Sequence, residues 1–215
     1  NISSIGDYIF YNCSSLSSIV IPDSVRTIGI YTFYNCKSLT TVNIPTLATT
    51  IGTGAFCGSG LTSIVIPNVS TININTFNSC ANLSSVTIPN TVGLIEYSAF
   101  ANCSSLVSLT IPASVSTIRT DSFTGTGASL TSITVAATNG SYMSENGVLF
   151  NKAKTTLWLY PSASLNTSYV IPSTVTSIKA YAFVGCSNLT SITIPNSVTS
   201  IPNFTFYRLT NALSS

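Results

Sequence analysis

An Ile-Pro pair that returns at a nearly constant interval constrains this chain more than any other feature. It stands at Ile21, Ile44, Ile66, Ile88 and Ile111, in steps of 23, 22, 22 and 23 residues. It lapses at Val135-Ala136 and returns at Ile171 and Ile194. A period of this length marks a solenoid, in which each repeat is one coil that buries its apolar face only against its neighbours.

Three spacings define the coil. A Leu stands five residues before each Ile or Val of the pair, as in Leu16 to Ile21, Leu39 to Ile44 and Leu130 to Val135. The residue two before that Ile is also apolar (Ile19, Val42, Ile64, Val86, Leu109, Ile133, Ile192). This alternation predicts a half-buried strand that ends at the proline, where no ladder donor is required. A second apolar pair follows, such as Val25/Ile28, Leu47/Ile51 or Val175/Ile178, and then a Phe. Stacked in register, Phe33, Phe56, Phe77, Phe100 and Phe123 would form an internal aromatic ladder that serves as a packing spine. Length varies between the Phe and the next Leu, so this segment is placed at a turn.

One stretch departs from the period. Val135 to Ile171 is a step of 36 residues, and residues 136–170 form a variant repeat. Asn146–Phe150 and Thr156–Tyr160 flank the polar Asn151–Thr155, which predicts a β-hairpin insert. It is either an elaborated coil or a platform standing off the solenoid, and it carries the only Trp.

Composition narrows the function classes. The 215 residues count as one elongated domain, residues 1–215, of 22–24-residue coils. Only 6% of residues are charged, against about 25% in ordinary domains. With a net charge of +2, the surface offers no phosphate-tracking stripe, so no nucleic acid partner is expected. Mean hydropathy is +0.47, yet apolar runs stop within a few residues, far short of the ~20 a membrane span needs. No membrane insertion of this segment is expected. No leader-like stretch opens the chain, and Ile5-Gly6 already matches Ile28-Gly29. Leu213-Ser214-Ser215 reads as the start of another strand, so both ends are expected to be cut mid-array in a longer protein.

Strands reading Leu-x-Ser-Ile-x-Ile-Pro, followed by Ser-Val-x-x-Ile, Ala-Phe and Asn/Gly-Cys, resemble BspA-like leucine-rich repeats. The insert, Asn146-Gly147-Val148-Leu149-Phe150 through Tyr160-Pro161, is similar to a recurring variant unit of that family. The resemblance implies a right-handed, curved leucine-rich-repeat stack. It places a parallel β-sheet on the concave side and short turns or 3-10 segments on the convex side. It further implies a secreted or cell-surface protein, in some members one that adheres to host matrix proteins.

Chemistry-bearing residues are scarce. There is no His, and Asp7, Asp23, Glu96, Asp121 and Glu145 are dispersed, so no enzyme, no cofactor and no metal site is expected. Cys13, Cys36, Cys80, Cys103 and Cys186 each fall three residues after the repeat Phe and read as reduced, buried structural thiols. A bridge between Cys13 and Cys36 is the alternative. Two columns flank the inward strand residues, Ser18 to Ser191 and Val20 to Thr193, and both are small and uncharged. They lack the large anchors of interface hot spots.

Aromatic residues cluster instead around the Phe turn. Tyr8, Tyr11, Tyr31, Tyr34 and Tyr181, with Trp158 and Tyr160 of the insert, are the candidate ligand contacts. Tyr97, Tyr207 and Phe204 lie in the same turn row. The expected function is a noncatalytic adhesion or protein-interaction module whose partner is a host matrix or cell-surface protein. A structural spacer without its own ligand is the alternative. Ice or crystal binding is weakened by Val20, Asn43 and Val65 in the Thr column.

Overall fold

The computed structural model describes residues 2–126 and 129–208. The strand start expected at Leu213–Ser215 lies outside the described residues, as does Gly127. Among the described residues all regular structure is β, and most neighbouring coils pair in parallel. The chain is a leucine-rich-repeat solenoid.

The strand expected from the Leu-x-Ser alternation forms as Ser63–Val65 with Ser85–Thr87, Ser108–Ile111 with Ser132–Val135, and Ser168–Val170 with Ser191–Thr193. In the first coils it shrinks to a single bridge between Val20 and Asn43. The Leu does not open the strand but turns the corner before it, where Leu39, Leu61, Leu83, Leu106, Leu130 and Leu189 are all buried. The polar columns face outward, and Val20 in them is 91% exposed.

A second parallel ladder runs through the residues read only as an apolar pair after the proline. It joins Thr27–Ile28 to Thr50–Ile51, and Thr71–Ile72 to Leu94–Ile95 and Thr117–Ile118. Between Ile51 and Ile72 the coil is shortened and the ladder lapses; there the Asn73 side-chain amide donates to the Ile51 carbonyl at 2.7 Å. The inward partner of Ile51 is Ala48, not Leu47, which is exposed. Every other coil places that partner three residues before its Ile, as Val25 precedes Ile28, and Ala48 keeps that register.

The aromatic spine forms as expected. Phe10, Phe33, Phe56, Phe77, Phe100 and Phe123 stack with centroids 5.2–5.7 Å apart and planes within 12° of parallel. Their turns are not 3-10 helices. In each, the residues two before and two after the Phe take a left-handed backbone, as Tyr31 (φ 51°) and Asn35 (φ 54°) do around Phe33. Left-handed residues interrupt any right-handed helical run. The turn carbonyls are satisfied along the stack instead, with Tyr31, Phe33 and Asn35 donating N–H to Thr53, Ala55 and Cys57 of the next coil.

The insert is an elaborated coil and not a detached platform. Tyr142–Glu145, Val148–Asn151 and Thr156–Leu159 form an antiparallel meander, turned at Asn146 (φ 51°) and Gly147 (φ 78°). Positive φ at both residues is what a two-residue hairpin turn with native twist requires. Its last strand rejoins the array by pairing Thr156-Leu157 in parallel with Ser177-Ile178. Val148–Phe150 is buried on both faces: Leu149 packs into the core that runs from Ile5, and Val148 and Phe150 into the core that ends at Leu189.

Candidate functional site

The exposed aromatic residues sit where the left-handed turns throw them outward. Two columns run along the turn row. Two residues before the Phe stand Tyr8, Tyr31, Gly54, Asn75, Ser98, Asp121, Tyr181 and Phe204; one residue after it stand Tyr11, Tyr34, Cys57, Asn78, Ala101, Thr124, Val184 and Tyr207. In these two columns the aromatic rings gather in the first and the last described coils and are absent between.

At the first end, Tyr8, Tyr11, Tyr31 and Tyr34 close into a four-ring cluster. Tyr8 stacks on Tyr31 at 5.6 Å and Tyr11 on Tyr34 at 4.7 Å, while Tyr8–Tyr11 (5.7 Å) and Tyr31–Tyr34 (5.6 Å) meet at steeper angles. Tyr8 and Tyr11 are exposed, and Tyr31 and Tyr34 are half-buried. Gly54 makes the inner edge possible: a Cβ there would lie 2.1 Å from the Tyr31 ring, which covers it. Tyr181 is not part of this cluster. It stacks on Phe204 at 5.4 Å, and Phe204 meets Tyr207 edge-on at 5.9 Å with the Arg208 guanidinium 5.4 Å above the Tyr207 ring. Tyr97 stands between the two groups, under Arg119 at 5.6 Å.

The two insert candidates divide. Trp158 is half-buried, edge-on to Tyr142 at 5.5 Å, with the Lys179 ammonium 4.8 Å from its ring. Tyr160, expected as a surface contact, is instead only 2% exposed. It takes the Phe position of the variant coil: its ring lies 5.3 Å from Phe183, and its N–H donates to Ala182 as Phe183 donates to Thr205. Its hydroxyl bonds Ser164 at 3.2 Å, which lets a Tyr serve in the spine.

The thiols are free, including Cys13 and Cys36. Cys36, Cys80 and Cys103 donate S–H to the carbonyls of Phe10, Phe56 and Phe77 in the preceding coil. Burial pushes Cys36 up to about 11 and Cys80 and Cys186 up to about 12, so these thiols stay protonated and inert. Cys13 departs from the expectation of burial and is exposed, and Cys57, shifted by two positions, is half-buried. Where the thiol is missing, buried Ser59 and Thr126 stand in its place. Among the described residues no group of His, Cys, Asp or Glu is arranged to hold a metal ion, and no helix is long and apolar enough to cross a membrane.

One concavity was not anticipated. Between the turns of Phe123 and Phe183 lies a groove of about 510 Å³ lined by Asn102, Thr124, Gly125, Tyr181, Tyr207 and Arg208, among others. Its signal is present in the spacing. The second-ladder Ile precedes the spine Phe by five residues in Ile28/Phe33, Ile118/Phe123 and Ile178/Phe183, whereas Leu157 precedes Tyr160 by three.

Comparison with known proteins agrees with this architecture. No curated protein matches the chain. It is similar to the pneumococcal vaccine antigen PcpA (TM-score 0.78, 29% identity, 90% of this chain and 54% of that one). It also resembles a leucine-rich cell-surface protein of Faecalibacterium prausnitzii (TM-score 0.73, 29% identity, 95% and 68%). A leucine-rich repeat protein of Eubacterium ventriosum matches at TM-score 0.65 and 30% identity over 95% of this chain, which spans 48% of that protein. The model of the BspA type leucine-rich repeat region matches six copies over residues 3–141 and 160–215, and the chain belongs to that family.

Proposed function

We propose that the chain is a noncatalytic protein-binding module of a cell-surface or secreted protein, adhesive in character, with the turn row as its working face. The observation that carries this reading is the Tyr8/Tyr11/Tyr31/Tyr34 cluster, four contiguous rings in turn columns that continue as Asn75, Asn78, Ser98 and Thr124 in later coils. Tyr combines a large apolar area with a polar tip and few rotatable bonds, which suits it to contact at low entropic cost. The rings already stack on one another, so less freedom is lost when a partner arrives. The fit to the family and to a cell-surface neighbour supports the location. A partner among host matrix or cell-surface proteins follows from the same resemblance.

The test is binding of the folded chain to an array of matrix and cell-surface proteins, beside a Tyr8→Ser/Tyr31→Ser variant. Both positions have positive φ, Tyr8 is exposed and Tyr31 is only half-buried, so the variant is expected to fold. A saturable signal that falls at least tenfold in the variant supports the turn row. A signal that persists moves the contact away from it. One observation favours the second reading, a spacer with no ligand of its own: the strand face exposes only small, uncharged side chains such as Ser63, Val65, Ser85 and Thr87. Absence of binding to every protein on the array supports the spacer.

A further inference from the structure

We infer that the groove between the turns of Phe123 and Phe183 is a docking site for a peptide segment of a partner protein, held by its main chain in the place of a missing turn. This rests on the protein-binding reading above and names a site for it distinct from the tyrosine cluster. The argument starts from the hydrogen bonds between turns. The residue two after each Phe donates its N–H to the residue one after the Phe of the next coil: Asn12 to Tyr34, Asn35 to Cys57, Gly58 to Asn78, Ser79 to Ala101, Asn102 to Thr124, and Gly185 to Tyr207. Among the described residues the series lapses once. In the variant coil the chain runs directly from Leu157 to Tyr160 and leaves through Pro161, so it builds no turn with left-handed residues. Among the described residues, no following coil receives the N–H groups of Phe123 and Gly125, and no preceding one reaches the carbonyl of Val184.

Gly125 and Val184 both line the groove, so it has an unused main-chain donor on one wall and an unused acceptor on the other, with the Phe123 N–H in the adjoining slot. That is the chemistry by which an added segment extends a ladder. Side chains point the same way. Thr124 Oγ1 and Asp121 Oδ1, on the turn that forms the first wall, are buried without partners. At the base, a narrow slot beside Trp158, Lys179 and Tyr181 shares Thr124 and Tyr181 with the groove. Tyr181 and Tyr207 offer aromatic walls, and among the described residues the one charged side chain lining the groove is that of Arg208. A volume of about 510 Å³ holds a few residues and not a domain. The occupant is therefore a short turn-forming peptide whose one charge is a carboxylate for Arg208.

A turn taken from the chain itself is the natural probe. A synthetic peptide of residues 93–104, with Cys103 replaced by Ser, carries Glu96, Tyr97 and Phe100. Trp158 is the only tryptophan and lies beside the groove, so its emission reports occupancy. The expected result is a saturable change in emission. Arg208→Glu weakens it about fivefold or more, and a peptide with Glu96→Lys restores it on that variant. Ser104→Tyr, which fills the groove from its wall, abolishes it; circular dichroism checks that both variants fold. No saturable change with either peptide overturns the inference, as does indifference to either substitution. Array binding by the whole chain without peptide binding leaves the protein-binding reading standing and this site refuted. Failure of the array alone counts against the reading and not against the groove.

Discussion

Left-handed backbone at two positions of every turn explains residue choices that would otherwise look arbitrary. Asn, Gly and Ser recur there because they tolerate positive φ; a bulky L-residue pays roughly 1–2 kcal/mol. Tyr8, Tyr31 and Tyr181 accept that penalty at φ 59°, 51° and 63°, which is the backbone argument for a role beyond packing. Asn35→Val is expected to lower stability by about 1–2 kcal/mol in urea denaturation, and Asn35→Gly to leave it nearly unchanged. The thiols supply a second prediction. Burial raises Cys36 to about 11 and Cys80 to about 12, so the fold favours the protonated form. Stability from these groups is whole below an unfolded thiol's value of about 8.5 and is lost as pH climbs through 11 to 12. The denaturation midpoint is expected to be level from neutral pH to about 8.5 and then to fall, and a Cys36→Ala/Cys80→Ala variant to flatten the fall. In native chain, a maleimide reagent is expected to label exposed Cys13 first and to leave Cys80, Cys103 and Cys186 until the chain unfolds.

The coil itself was legible because its determinants are periodic and local in sequence: Leu39, Ile44, Ile51 and Phe56 repeat their spacing, and burial follows. Three features were harder to read. The second ladder at Thr27–Ile28 is only two residues long, too short for any alternation to declare it. Tyr160 is ambiguous in the sequence because a hydroxyl makes Tyr equally suited to an interface, and only its register against Phe183 assigns it to the spine. The division of the turn tyrosines into two groups depends on which coils are neighbours, information carried by the stack as a whole. The spine assignment makes a sharp prediction. Tyr160→Phe is expected to change stability by less than about 1 kcal/mol, losing one hydroxyl contact. Tyr160→Ala is expected to cost about 3–5 kcal/mol, as Phe77→Ala would, because each opens a cavity in a fully packed column. Thermal denaturation of the three variants checks both.

At the scale of the molecule, the strand Val148–Asn151 divides one apolar interior into two compartments, with Leu149 in one and Val148 and Phe150 in the other. Repeat arrays distribute stability as nearest-neighbour terms, so a defect is felt mainly by adjacent coils. Hydrogen exchange is expected to show Phe77→Ala loosening amides on the Ile5 side while those near Phe183 keep their protection. Phe150→Ala, at the divide, is expected to loosen both sides.

The direction of the inter-coil hydrogen bonds has a mechanical consequence. They run along the stacking axis, so a pull on the two ends opens them one coil at a time instead of shearing a whole sheet at once. Each released coil of about 23 residues would lengthen the tether by about 75 Å, and the 36-residue variant unit by about 120 Å. A protein built this way at a surface under flow would yield by graded extension, with its attachment points spared the full load until the last coil has opened.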